Sequence, residues 1–289
     1  MSKAKKKKSA AAKQKAVAKD IESQGVEVSA ESAAATPKVS FEQLRQFNKW
    51  IVILCAVQAA AITLIGTGKS FPVLLHYITP DPLQADAVAE GSHPLFWIRL
   101  ATLLGLGFLA SAVIHLFWFN AGKPQYESAL NRNIQPFRWL GNVFSYGLLL
   151  LAVALVAGIF DFLALLAVFG INAIAQSLRA LAERQSPPSK KLALAAAVLD
   201  AGLWLAILAT VVLTLVFDHA PAAYVWAVVA ALGLASAGMA TAPLLAGFKT
   251  GRLSRLGKDA RSRERLLLVF EFALPSLIAW LIFAGALLP

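Results

Sequence analysis

Three titratable side chains lie inside long apolar stretches of the sequence, where charge is rare and chemistry is therefore expected. Glu271 lies near the start of the last apolar stretch, Asp200 lies within the fifth, and His115 lies near the end of the second. A charged side chain inside hydrocarbon costs at least about 2.5 kcal/mol on insertion scales, so each is a functional candidate. With Asn142 and Gln58, they are expected to form a polar cluster in the cytoplasmic half of a helical bundle.

The surroundings of Glu271 allow two interpretations. Pro275 follows four residues later. Because proline lacks an N–H, the carbonyl of Glu271 loses its helical donor, and the ring bends the helix at this point. A carboxyl beside a free carbonyl suits a proton, cation or ligand site. The other interpretation is a carboxyl kept neutral by desolvation and hydrogen-bonded within the bundle.

For the other buried polar residues we expect structural roles. His115 is predicted to be a hydrogen-bonded interior histidine, and Asp200 to lie close enough to the interface to reach water. Gln58 and Asn172 are predicted to join neighbouring helices. The sequence has no HExxH, GxSxG or P-loop motif, its four histidines are scattered, and its single cysteine, Cys55, lies in an apolar stretch. We therefore expect neither enzyme activity nor a metal site.

The elements that position these residues are predicted to be membrane-spanning helices. The 289 residues are 58% hydrophobic and 15% charged, with a mean hydropathy of +0.65, which is too apolar for an ordinary soluble domain. Crossing about 30 Å of hydrocarbon takes roughly 20 mostly apolar residues. We predict an all-α, seven-helix membrane protein whose spans are residues 50–66, 95–119, 137–158, 160–181, 192–217, 222–248 and 266–288.

The distribution of positive charge predicts the orientation, because Lys and Arg beside short loops stay cytoplasmic. With a cytoplasmic N-terminus, 25 of the 27 Lys and Arg residues lie on that side, and only Lys69 and Arg99 lie near the other. The C-terminus is then extracellular, and the protein belongs in the cell membrane. Residues 1–40 are predicted to be a disordered basic cytoplasmic tail, and residues 41–289 the membrane domain. Since the membrane explains the net charge of +11, no nucleic-acid partner is expected.

Two local patterns add detail to this outline. The connection at residues 67–94 holds two short extended stretches around the TPDP turn signal at 79–82, which predicts a small extracellular hairpin between the first two helices. In the sixth stretch, Gly233, Ala237 and Thr241 recur every four residues. Such a stripe lets another helix approach closely, and internal packing is the favoured interpretation over a dimer face.

Several segments together resemble heliorhodopsins. They are FNKW, which contains Asn48, the outer FPVLLHYITP, SAVIHLFWF, NRNIQPFRW, FDFLALLAVFGINA and the closing AWLIFAGALLP. The resemblance extends over residues 41–289 and preserves the order of the segments. It implies a rhodopsin-like seven-helix membrane photoreceptor, usually dimeric, with a cytoplasmic N-terminus. It also implies retinal attached as a Schiff base to a lysine of the seventh helix.

The chain departs from this family pattern at the attachment position. Pro275 stands where the lysine is expected, directly before Ser276 and the Ala-Trp pair at 279–280. No lysine occurs in residues 266–289. We therefore expect no covalently bound retinal.

The family's carboxylate counterion is missing as well. Gly141 occupies its position after FRW, followed by Asn142, and Cys55 stands where a second family histidine is common, while His115 matches the other. The two losses agree physically, because a buried carboxylate without the protonated Schiff base would be an unpaired charge. Glu271, one turn before Pro275, is expected to face the vacated cavity.

The leading hypothesis is a heliorhodopsin-like sensory, signalling or scaffold protein without covalent retinal. A second hypothesis is proton or cation transport through Glu271, Asp200 and His115. A third is non-covalent binding of retinal, a carotenoid or a lipid in the vacated pocket. The expected partners are the lipid bilayer, a second copy of the chain by family resemblance, and an unidentified cytoplasmic signalling protein. The candidate pocket residues are Pro275, Gly141, Glu271, His115, Asn142 and Ser276.

Overall fold

The computed structural model describes residues 39–80, 88–132, 134, 136–185, 188–217, 220–245 and 260–288. The predicted tail at 1–40 lies outside these residues except for its last two. The helices are α1 (Phe41–Ile65), α2 (Leu100–Phe119), α3 (Lys123–Asn131), α4 (Pro136–Val156), α5 (Phe162–Arg184), α6 (Lys190–Phe217), α7 (Ala223–Leu245) and α8 (Ala260–Ile282). A π-helical turn, Phe283–Leu287, follows α8, and two strands, β1 (Ser70–Pro80) and β2 (Val88–Arg99), separate α1 from α2.

Seven of these helices are long and apolar enough to cross a membrane, namely all except the short α3. Successive spanning helices pack against each other, and α8 packs against both α7 and α1, which closes the bundle. This confirms the predicted seven-helix bundle. We call the end at which α1, α4, α6 and α8 begin the basic end, and the opposite end, with β1 and β2, the hairpin end.

Helix α1 begins two to three turns earlier than hydropathy predicted. A capping box fixes its start: the Ser40 hydroxyl accepts from the Gln43 amide at 3.1 Å, and the Gln43 side chain accepts from the Ser40 amide at 2.9 Å. Leu44 and Asn48 are already buried in this amphipathic segment. A hydropathy average misses such turns because only one face of them is apolar.

The predicted hairpin is confirmed, but it is longer than expected. Strands β1 and β2 pair antiparallel from Ser70↔Arg99 to Pro80↔Val88, with a register shift between Val73 and Leu74. The prediction that the second span starts at residue 95 was therefore wrong, since β2 continues to Arg99 and α2 begins at Leu100. Aromatic and β-branched residues are apolar enough to mimic a span, yet they favour strands where a partner is available.

The turn between α4 and α5 is tight, as the single residue between the predicted spans 137–158 and 160–181 requires. Gly158 has φ +94°, a conformation that glycine adopts at little cost, and the Ile159 amide donates to the Ala154 carbonyl at 2.9 Å.

The small-residue stripe of α7 behaves differently from the prediction. Gly233 packs under the Trp204 indole of α6, whereas Ala237 and Thr241 are exposed, so the stripe does not face one helix of this chain.

The hairpin is fastened to the α4–α5 turn. The Leu74 amide donates to the Phe160 carbonyl at 2.8 Å, and the Phe71 and Phe160 rings stack with centroids 5.6 Å apart. His76 Nδ1 and Asp161 Oδ2 lie 2.9 Å apart, while Asp161 Oδ1 caps α5 by accepting from the Ala164 amide at 2.8 Å. The hydrogen bond from His76, followed by that from the Ala164 amide, holds the pKa of Asp161 below its usual value.

This attachment is expected to weaken in acid. Because the pKa of Asp161 is lower in the folded protein, its stabilising contribution is complete above the ordinary carboxyl value of 3.8 and is lost as the pH falls through the lowered value. Hydrogen exchange at the Leu74 amide, corrected for the intrinsic rate, is expected to accelerate over that interval. Asp161→Asn keeps an N-cap residue but removes the carboxylate. If this variant showed the same acid-induced acceleration, Asp161 would not be the group responsible.

Candidate functional site

A cavity lies in the centre of the bundle, between α1, α2, α4, α7 and α8. Its volume of about 40 Å³ is enough for a few water molecules. Apolar and polar side chains both contribute to its wall, which consists of Cys55, Leu104, Gly107, Phe108, Ser111, His115, Asn142, Ser145, Tyr146, Leu149, Met239, Glu271, Phe272 and Pro275. Four of the predicted pocket residues therefore lie on one wall: Pro275, Glu271, His115 and Asn142.

The other two predicted pocket residues do not line the cavity. At Gly141, an added Cβ would lie 3.0 Å from Ile114 Cγ2, so this position is packed against α2. The Ser276 hydroxyl is buried without a hydrogen-bond partner in the described part of the chain. Neither residue is among those that line the cavity, because the sequence neighbours of Asn142 and Pro275 point about 100° away around a helix.

No lysine of the described residues lines this cavity. All five of them are exposed: Lys49 lies in the third turn of α1, Lys69 lies in a connection, and Lys123, Lys190 and Lys191 lie at helix starts. Pro275 lies on the cavity wall within α8, at the position that the resemblance assigns to a lysine. The cavity wall therefore carries no primary amine from the described residues.

Glu271 forms an ion pair, which neither interpretation of its sequence context had included. Its Oε1 accepts from Asn142 Nδ2 at 2.9 Å, and its Oε2 lies 3.3 Å from Arg138 Nη1. The Arg138 side chain is 6% exposed and that of Glu271 10%. The orientation count placed Arg138 among the charges flanking a cytoplasmic loop, but the structure places it inside the bundle.

Arg138 also pairs with Glu264, whose side chain is buried as well. Tyr126, on the short helix α3, donates its hydroxyl to Glu264 Oε1 at 2.8 Å. Burial, followed by the charge of Glu264, raises the pKa of Tyr126, so its hydroxyl stays protonated and remains a donor. The Arg138 guanidinium therefore pairs with two carboxylates of α8. One of them, Glu264, also accepts from Tyr126 and so joins α3 to the bundle.

His115 and Asn48 extend this network to α1 and α2. His115 Nδ1 lies 2.7 Å from Asn48 Oδ1, and Asn48 Nδ2 donates to the Leu44 carbonyl at 2.9 Å and to the Tyr126 hydroxyl at 3.4 Å. Because Oδ1 can only accept, Nδ1 of His115 carries the proton. The predicted interior role of His115 is confirmed. We call this network the Arg138 cluster; its members are Asn48, His115, Tyr126, Arg138, Asn142, Glu264 and Glu271.

A second buried ion pair joins Arg179 of α5 to Asp200 of α6. The two side chains are 1% and 5% exposed, and Arg179 lies over the Trp139 ring with Cζ 5.5 Å from its centroid. The prediction that Asp200 reaches water was therefore wrong. Asp200 instead forms a buried ion pair with Arg179, which the orientation count had treated as a loop charge. Asp200 does not line the cavity, so the three residues of the transport hypothesis are not brought together.

Sequence reasoning missed Arg138, Glu264 and Tyr126 as site residues. One signal was available for Glu264, since it precedes Glu271 by seven residues and so lies on the same helix face two turns away.

The helix-joining roles predicted for Gln58 and Asn172 are confirmed: Gln58 accepts from Trp280 Nε1 at 2.9 Å, and Asn172 donates to the Val143 carbonyl at 3.1 Å. Within the described ranges, no cluster of three or more His, Cys, Asp or Glu side chains is arranged to hold a metal ion.

The bundle and its central cavity define a multi-pass membrane protein of the seven-helix, rhodopsin-like class. A comparison with family models matches the heliorhodopsin model to residues 44–287, so the chain belongs to the heliorhodopsin family. A search of curated proteins found no match. Family membership confirms the resemblance inferred from the sequence segments.

The residues of this cavity do not fit covalently bound retinal. A retinylidene linkage needs a primary amine, and proline has a ring nitrogen that is consumed in the backbone. The residue at the counterion position, Gly141, is also turned away from the cavity and packed on Ile114. The carboxylate on the cavity wall, Glu271, is already paired with Arg138.

Proposed function

We propose that this heliorhodopsin-family protein forms no retinal Schiff base and serves as a sensory, signalling or scaffold protein of the cell membrane. The observation that carries the proposal is Pro275 on the wall of a central cavity that no described lysine reaches. Glu271 supports the signalling part, since it borders the cavity and also belongs to the Arg138 cluster at the basic end. A change at the cavity wall therefore has a direct mechanical connection to α3 and the ends of α1 and α8.

The proposed orientation places the basic end and the N-terminus in the cytoplasm, and the C-terminus and the hairpin outside. It is supported by the excess of Lys and Arg at the basic end, even after Arg138 and Arg179 are assigned to the interior. The basic end is then where a cytoplasmic signalling partner would bind. A homodimer remains part of the proposal through family membership.

Retinal reconstitution tests the central claim. All-trans retinal is added to the purified protein and the absorption spectrum is recorded; any Schiff base is then reduced with borohydride to a stable amine, and the intact mass is measured. We expect no retinyl adduct and no red-shifted band from the native chain. Pro275→Lys, which places an amine on the cavity wall, is expected to gain the adduct, whereas Pro275→Ala, which removes only the proline, is not. An adduct on the native chain at the level of Pro275→Lys would refute the proposal.

A second candidate function is non-covalent binding of retinal, a carotenoid or a lipid, for which the helices around the cavity must first move apart, because its volume of about 40 Å³ holds only a few water molecules. Polar groups on its wall, such as Ser111, Asn142 and Tyr146, offer hydrogen bonds to a ligand whose remainder contacts Phe108 and Phe272. Mass spectrometry of small molecules extracted from the purified protein tests this. Recovery of only the bulk phospholipids would count against it.

A further inference from the structure

The short helix α3, which lies between α2 and α4 at the basic end, is attached to the bundle through Tyr126. Tyr126 is 7% exposed, its ring centroid lies 6.1 Å from that of Trp118, and its hydroxyl donates to Glu264 Oε1 at 2.8 Å. Ala129 and Leu130 add apolar contacts, since both are buried. Among the described residues of α3, only Tyr126 has a side chain that hydrogen-bonds to another helix. The polar attachment of α3 to the spanning helices therefore consists of one buried hydroxyl.

The oxygen that accepts from Tyr126 is also part of an ion pair. Arg138 pairs through Nη2 with the same atom, Glu264 Oε1, while its Nη1 lies 3.3 Å from Glu271 Oε2. One cation therefore serves two carboxylates, which leaves a net charge of −1 on the three ionised side chains. A hydrogen bond to a charged acceptor is stronger than one to a neutral acceptor, so this excess negative charge strengthens the bond from Tyr126. If Glu271 were neutral, Arg138 would neutralise Glu264 alone and the bond would weaken.

Glu271 is placed to control this bond from a distance. In the part of the chain that the structure describes, no hydrogen bond or ion pair joins Glu271 directly to α3. A small cavity of about 20 Å³ lies between them, with Tyr126, Glu264 and Glu271 on its wall. Glu271 also lines the central cavity, which Tyr126 and Glu264 do not. An effect of Glu271 on α3 must therefore pass through Arg138 and Glu264.

We propose that α3 is a conformational switch controlled by the charge of Glu271. Helix α3 stays docked while Glu271 is charged and shares Arg138 with Glu264, and it loosens when a group in the central cavity neutralises Glu271. Glu264 is then fully paired with Arg138 and is a weaker acceptor for Tyr126, so α3 opens more often. This inference rests on the proposed signalling role and supplies its moving part. Its test involves no retinal, so the retinal claim and the switch can fail separately.

Hydrogen exchange of the α3 amides in the full-length protein, in detergent micelles, tests the switch. Tyr126→Phe deletes only the hydroxyl and is expected to accelerate exchange in α3 about tenfold, the factor that a hydrogen bond to a charged group contributes. Glu271→Gln removes the charge beside the central cavity. It is expected to accelerate exchange in α3 about threefold, because charge assistance accounts for about half of such a bond. Peptides of α6 serve as the internal reference and are expected to change less than α3.

Three further variants separate the switch from a general effect of losing an acid. Glu42→Gln removes an exposed acid at the basic end that lies outside the Arg138 cluster, and it is expected to leave exchange in α3 at the native rate. Glu271→Asp keeps the charge and is expected to stay close to the native rate. In the Tyr126→Phe background, Glu271→Gln is expected to add no further acceleration, because the bond through which it acts is already gone.

The switch is overturned if Tyr126→Phe exchanges in α3 at the native rate, a result that counts even if Glu271→Gln fails to fold. It is also overturned if Glu271→Gln accelerates α3 and α6 equally, since that would be a general loss of stability. Equal acceleration of α3 by Glu271→Gln with and without the Tyr126 hydroxyl would show that the coupling does not pass through this bond, and would overturn it as well.

Discussion

Arg138→Gln is expected to destabilise the bundle by about 3 to 5 kcal/mol, because removing one partner of a buried ion pair leaves an uncompensated charge. Here the substitution leaves two buried carboxylates, Glu264 and Glu271, without the guanidinium that forms ion pairs with both. The hydroxyl of Tyr126 and the amide of Asn142 still donate to them, but neither group is charged. Unfolding in detergent micelles, followed by circular dichroism, measures the loss.

Two further variants separate this explanation from a general effect of losing an arginine. Arg132→Gln removes an exposed arginine just before α4 and is expected to change stability by less than about 1 kcal/mol. Adding Glu264→Gln and Glu271→Gln to Arg138→Gln removes the unpaired charges and is expected to recover much of the lost stability. If the triple variant were no more stable than Arg138→Gln alone, charge pairing would not be the main role of Arg138.

Asp200→Asn is expected to cost a similar amount, about 3 to 5 kcal/mol, for the complementary reason. It leaves the Arg179 guanidinium buried, 1% exposed, with no carboxylate. Two nitrogens of Arg179, Nε and Nη1, already have no hydrogen-bond partner among the described residues. The Asp200 carboxylate is therefore the main group that offsets the cost of burying the Arg179 charge. The same detergent unfolding measurement applies.

The control for Asp200→Asn is the removal of a carboxylate from a solvent-exposed ion pair. Glu42→Gln removes a side chain that is 63% exposed and 3.8 Å from Arg45, and it is expected to cost less than about 1 kcal/mol. Replacing both members of the buried pair, as in Arg179→Met/Asp200→Leu, is expected to restore stability close to the native value. Native-like stability of Asp200→Asn would instead support the original prediction that Asp200 reaches water.

The two buried ion pairs differ in what they imply for function. The Arg138 cluster borders the central cavity through His115, Asn142 and Glu271, whereas Asp200 does not line the cavity. A ligand or a conformational change in the cavity therefore acts on the first pair directly. This asymmetry is the reason that the proposed signalling role involves Arg138, whereas Arg179 is expected to have a structural role.

The sequence by itself determined the number of spans and the family, and it also carries the proline on which the proposal of a missing amine rests. Spanning helices satisfy their own backbone hydrogen bonds and need only length and apolar composition, both of which are local properties. The proposed absence of a Schiff base rests on Pro275, whose ring nitrogen no packing can convert into a primary amine. The hairpin also followed from its turn signal, although the extent of β2 did not, because strand length depends on a partner strand.

Only the tertiary structure decided which charges are loop charges and which are internal. Arg138 and Arg179 have the same flanking positions as arginines that remain in water, and their burial depends on carboxylates brought close by other helices, Glu264 and Asp200. The direction in which Gly141 and Ser276 face depends likewise on how each helix is rotated about its axis. That rotation is set by the packing of all seven helices together, so no window of neighbouring residues contains it.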